Sequence, residues 1–144
     1  MYKSVLVATD GSETAGEAVR IAVELAKTFD ATLHVVSVYQ SGSKGALRIP
    51  DMTGAYPGSA DSLSIADTLL EGIASNARAQ GVVTKTYASS GSVAERIVSV
   101  AEEQQVELIV VGNKGMKGAK RILGSVPNAV AHAAPCAVLI VNTT

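Results

Sequence analysis

Cys136 is the only cysteine in the sequence. No internal disulfide can form, so burial and hydrogen bonding must hold the fold. Tryptophan is absent and phenylalanine occurs once, which leaves the core to Val, Ile, Leu and Ala. No apolar run approaches the roughly 20 residues of a membrane span. The opening MYKSVLVATDGS lacks a basic segment followed by a longer apolar one. Together these absences predict no membrane partner and a reducing, cytoplasmic setting. A strong overall charge is also missing. The formal net charge of −1 predicts no nucleic-acid partner. Acidic residues are absent after Glu107, whereas Lys114, Lys117, Lys120 and Arg121 follow it closely. Locally unopposed cations suit a small anionic ligand, although a solvated basic face has the same composition.

The 144 residues suit one domain spanning 1–144. Five apolar runs read as strands: Ser4–Thr9, Thr32–Val38, Val82–Ala88, Leu108–Gly112 and Ala137–Asn142. Between them lie segments of helical period. Glu13–Thr28 carries Ala15, Val19, Ala22, Leu25 and Ala26 on one stripe. Asp61–Gln80 carries Ile65, Leu69, Ile73 and Ala77, and Ser92–Gln104 carries Val93, Ile97 and Val100. Ser92 with Glu95 forms a capping-box pattern. Alternating strands and helices predict an α/β doubly wound domain, a parallel sheet with helices on both faces. Runs one, two, four and five are apolar enough for burial on both sides. The third, with Thr84, Lys85, Thr86 and Tyr87, reads as an edge strand. Tyr39–Ala60 is rich in Gly, Ser and Pro without a period, as expected of a ligand flap or a variable insertion.

In such sheets ligands sit beyond the carboxyl ends of the strands, at the switch point. Thr9, Asp10, Gly11 and Ser12 should meet there with the turn Gly112, Asn113, Lys114, Gly115, Met116, Lys117, Gly118 and with Gly124, Ser125, Val126. Glycines permit close backbone approach to phosphate. Ser125 reads as the N-cap of a helix starting at Val126, with Pro127 in its first turn. That helix terminus offers N–H groups to a phosphate, and Lys114, Lys117 and Arg121 add cationic contacts. Met116 reads as a lid or packing side chain.

Gly112-x2-Gly115 followed by Gly124-Ser125 resembles the ATP-binding signature of the universal stress protein family. The likeness extends to VLVATDGS, HVVSV, LIVVGNKG and APCAVLIV, and so to nearly the whole chain. The spacer Met116–Leu123 is one residue shorter than the family's usual one. The resemblance implies an adenine nucleotide alpha hydrolase-like sheet of order 3-2-1-4-5. It implies that Asp10 contacts the nucleotide, that Val38 lies near the adenine, and that backbone groups of Ala8, Thr9 and Val38 meet the base. Gly112 and Gly115 would face ribose and phosphates, and Gly124, Ser125 and Val126 would bind phosphate. It also implies a homodimer through the last strand, Ala137–Asn142.

Competing motifs are incomplete. Gly11-x4-Gly16 has P-loop spacing, but Glu17 stands in the lysine position. No G-x-G-x-x-G follows the first strand, and no C-x-x-C or H-x-x-x-H pair suggests zinc. His34 and His132 read as a packed and a surface histidine, and Cys136 as a small buried hydrophobe. No catalytic or metal-binding set emerges. The expected function is regulatory binding of ATP, with or without magnesium. The alternatives are cyclic AMP binding, a nucleotide-free stress protein acting through partners, and slow ATP hydrolysis.

Overall fold

The computed structural model describes residues 1–39, 59–113 and 124–143. Within these the chain runs β1 (Ser4–Ala8), α1 (Glu13–Phe29), β2 (Thr32–Tyr39), α2 (Ser59–Ala79), β3 (Thr84–Ser90), α3 (Val93–Glu103), β4 (Leu108–Gly112), α4 (Ser125–Ala133) and β5 (Ala137–Val141). The strands form one sheet in the order β3-β2-β1-β4-β5. Every neighbouring pair is parallel. Expected fold class and strand order are therefore both found.

Period-two alternation divides the buried residues into two cores. Val5, Val7, Leu33, Val35, Leu108 and Val110 pack with Ala18, Ala22 and Ala26 of α1 and Leu70 and Ala77 of α2. Leu6, Val36, Ile109 and Val111 pack on the opposite face with Ile97, Val100 and Ala101 of α3 and Val130 of α4. Strands buried on both faces explain their continuous apolar runs. Each fully buried Val, Leu or Ile contributes roughly 1.5–3 kcal/mol relative to exposure.

Local chemistry sets the helix ends. The Ser12 side chain accepts from Ala15 N at 3.2 Å and starts α1. Three helices close on left-handed residues, Asp30, Gly81 and Gln105. Ala31, Val82 and Val106 then donate to the carbonyls of Ala26, Ala77 and Ala101 and are themselves buried. This pairing satisfies carbonyls that would otherwise lack partners.

Several expectations need correction. α2 begins at Ser59, two residues before the expected Asp61, so the segment without regular structure in the sequence reading narrows; 40–58 lies outside the described residues. Of the expected α2 stripe, Ala77 is buried and Ile73 packs against the core, but the other buried positions are Ala66, Leu70 and Ala74, and Ile65 is 67% exposed. Ser92 is the N-cap of α3 but its side chain makes no capping hydrogen bond. β5 is not buried on both faces. It is an edge strand, with Leu139 and Ile140 exposed.

Candidate functional site

β1 connects through α1 toward β2, whereas β4 connects through α4 toward β5, so the chain departs in opposite directions from two adjacent strands. A crevice must open where those connections separate. The structure has a cleft of about 190 Å³ there. Ala8, Thr9 and Asp10 border it from β1, Val38 from β2, Val111 and Gly112 from β4, and Thr143 from the tail after β5. The N-terminal ends of three helices complete it: Ser12, Thr14 and Ala15 at the α1 start, Val93 and Ile97 in the first two turns of α3, Val126 and Pro127 in the first turn of α4.

The β1–α1 turn is braced by its own side chains. Gly11 N donates to Thr9 Oγ1 at 3.1 Å, and Ser12 N donates to Asp10 Oδ1 at 2.9 Å. Ser12 Oγ lies 3.2 Å from Thr14 Oγ1. Gly11 has φ of 85°, a conformation that any other residue would adopt under strain. Asp10 therefore holds the turn and also lines the cleft with an exposed carboxylate. It is the only ionisable side chain among the described residues lining the cleft.

At the opposite wall the N-cap of α4 is Gly124, not Ser125, and the helix begins at Ser125, not Val126. Gly124 has no side chain to accept from the first-turn amides, so the N–H groups of Ser125 and Val126 are not used by their own cap. Three helix N-termini around one cleft place positive partial charge there. Asn113 lies just beyond β4 and is 2% exposed. Its amide is turned to the C-terminal tail. Thr143 N and Thr143 Oγ1 both donate to Asn113 Oδ1 at 2.9 Å, and Asn113 Nδ2 donates to Asn142 Oδ1 at 3.1 Å. A Cβ at Gly112 would meet Thr143 Cγ2 at 3.3 Å. The glycine therefore leaves room for the tail as well as for a ligand.

Of the expected site residues, Ala8, Thr9, Asp10, Val38, Gly112 and Val126 line this one cleft. Gly124 and Ser125 adjoin it at the α4 terminus, and the side chain of Asn113 serves the tail. Lys114, Gly115, Met116, Lys117, Gly118 and Arg121 lie outside the described residues. Sequence reasoning missed Thr14, Ala15, Val93, Ile97, Val111 and Thr143 as lining residues. Only Thr14 and Ala15, next to the Asp10–Ser12 turn, could have been inferred from proximity in sequence. Among the described residues no three His, Cys, Asp or Glu side chains cluster as a metal site. No described helix is long and apolar enough to cross a membrane. His34 and His132 are absent from the cleft lining; His34 is packed, and His132 is exposed on α4. Cys136 is half-buried, and burial pushes its thiol pKa up.

Comparison with known proteins adds a second line of observation. A family model described as the Universal stress protein family matches residues 1–142. The chain is 34% identical over 151 residues to the universal stress protein YxiE of Bacillus subtilis (strain 168), covering 99% of this chain and all of the relative. A universal stress protein crystallised in complex with cAMP superposes with a TM-score of 0.73 at 30% identity, covering 99% of this chain and 98% of the other. The structure of the hypothetical protein MJ0577 gives a TM-score of 0.78 at 25% identity, covering 100% of this chain and 98% of the other.

Proposed function

The chain belongs to the universal stress protein family, and from that premise we propose that it is a regulatory protein of the stress response that binds an adenine nucleotide, foremost ATP, in the cleft between β1 and β4. The observation that carries this reading is the cleft's division of labour. Val38, Val111, Ile97 and Val126 offer apolar surface for a base. Asp10 offers a carboxylate to a ribose hydroxyl. The α4 terminus, with glycine at its cap, offers backbone amides to phosphate.

The residues fit the ligand in part and by position. A cleft of about 190 Å³ is smaller than the roughly 300–1,000 Å³ of typical small-molecule sites. It suits the nucleoside end, with phosphates extending toward Gly124. The segment joining Gly112 to Gly124 in sequence carries Lys114, Lys117 and Arg121, which would supply the cationic side. Magnesium is commonly held by one or two carboxylates plus phosphate oxygens, and Asp10 is the carboxylate available at the cleft for that role. No histidine or second carboxylate among the described lining residues can serve as a general base beside it. The reading is accordingly retention of ATP without fast turnover. Cyclic AMP is the second reading, favoured by the relative crystallised with it.

The same reading takes residues 1–144 as one domain, cytoplasmic, and paired with a second copy through Ala137–Asn142. Isothermal titration with ATP and cyclic AMP tests the ligand, and Val126→Trp tests its location by filling the cleft. The variant should bind at least tenfold more weakly with an unchanged circular dichroism spectrum. Undiminished ATP affinity would place the site elsewhere.

A further inference from the structure

The C-terminal tail is built into the cleft in a way that determines the chemistry of one side chain. Thr143 N is a donor only, so the Asn113 atom that it meets at 2.9 Å is the amide oxygen. That oxygen is an acceptor only, so the Thr143 hydroxyl, also at 2.9 Å, must donate its single proton to it. The Asn113 amide nitrogen is in turn engaged by Asn142 Oδ1, which fixes its orientation. The Thr143 hydroxyl therefore has lone pairs left and no proton to give. It belongs to a half-exposed side chain lining the cleft, so what remains for a ligand there is an acceptor.

Register places this acceptor relative to Asp10. Val7 pairs with Val110, and Gly112 pairs with Val141. Asp10, Gly112 and Thr143 therefore follow one another across the carboxyl edges of β1, β4 and β5. A group over Gly112 would have an acceptor on either side. Phosphate oxygens carry no protons and would be repelled there, whereas ribose hydroxyls are donors.

We propose that Thr143, held by Asn113, reads a ribose hydroxyl of the bound nucleotide, so that the site prefers a ribonucleotide to its deoxy analogue. This rests on the nucleotide reading above and adds a selectivity that the reading does not contain. Asn113 is then a positioning residue, which withholds the proton that would otherwise let Thr143 accommodate an acceptor.

The test is titration of the full chain with ATP, 2′-deoxy-ATP and 3′-deoxy-ATP. Wild type should bind one of the two deoxy analogues about tenfold more weakly than ATP. Thr143→Val keeps the side-chain shape and removes the hydroxyl. It should weaken ATP to the level of that analogue and leave the analogue's own affinity unchanged, which a merely structural defect would not do. Thr143→Ser should restore the preference. ATP binding with the same discrimination in wild type and Thr143→Val overturns this proposal alone. Failure of wild type to bind any of the three overturns it together with the nucleotide reading.

Discussion

His34 is a polar residue in the middle of a core strand, 4% exposed. Its Nδ1 lies 2.8 Å from the Tyr87 hydroxyl, and the two rings stack at 20° with centroids 5.8 Å apart. Burial, and secondarily the charge of Lys85, push the His34 pKa down. Burial pushes that of Tyr87 up, so the phenol keeps its proton. The folded protein thus holds a neutral imidazole, while the unfolded chain takes up a proton at about pH 6.5. The unfolded state binds more protons in that window, so stability is fully present above it and is lost as pH falls through it. The melting temperature should drop between pH 7.5 and pH 5.5, and the drop should be smaller in His34→Leu. Parallel pH profiles for the two proteins would assign the dependence to other groups. At this scale the sequence was legible where a residue's role is local. Asp10 reads as a site residue at the end of the first strand, and His34 as packed. Asn113 was not, because its partners Asn142 and Thr143 are about 30 positions away and become neighbours only through the pairing of β4 with β5.

Elements were legible in kind and less so in facing. The two apolar series of α2 converge on Ala77 and otherwise differ by one position, and most of the buried one is alanine, whose small side chain gives weak periodic contrast. Ile65 therefore dominates the pattern without entering the core. β5 shows the complementary ambiguity: an apolar run says that a strand needs covering, not what covers it. Here it is the sheet edge, with Ala137, Leu139 and Ile140 exposed and one row of backbone groups facing away from β4. An uncovered apolar edge is prone to pairing, and a two-fold axis through it would hide both copies at once. Light scattering at micromolar concentration should give twice the 14.7 kDa chain mass. Ile140→Lys combined with Leu139→Lys should give the monomer with its helical signal retained. A monomeric wild type would contradict the pairing.

For the molecule as a whole, the alternation of strands and helices carried the parallel sheet with helices on both faces, and the family resemblance carried its strand order. The switch-point rule then located the cleft before any coordinate, and six expected residues meet there. The α3 contribution, Val93 and Ile97, was invisible in sequence, since only the packing of that helix across β2 brings it to the cleft. A ligand bound only by the folded state stabilises that state by an amount that grows with the logarithm of its concentration relative to Kd, and a tightly held, slowly released nucleotide should stay with the protein through purification. The most direct measurement is mass spectrometry of the small molecules released when freshly purified protein is denatured. The account predicts an adenine nucleotide, ATP foremost, in near-stoichiometric amount. Protein that releases none, and still releases none after incubation with excess ATP and gel filtration, would contradict it.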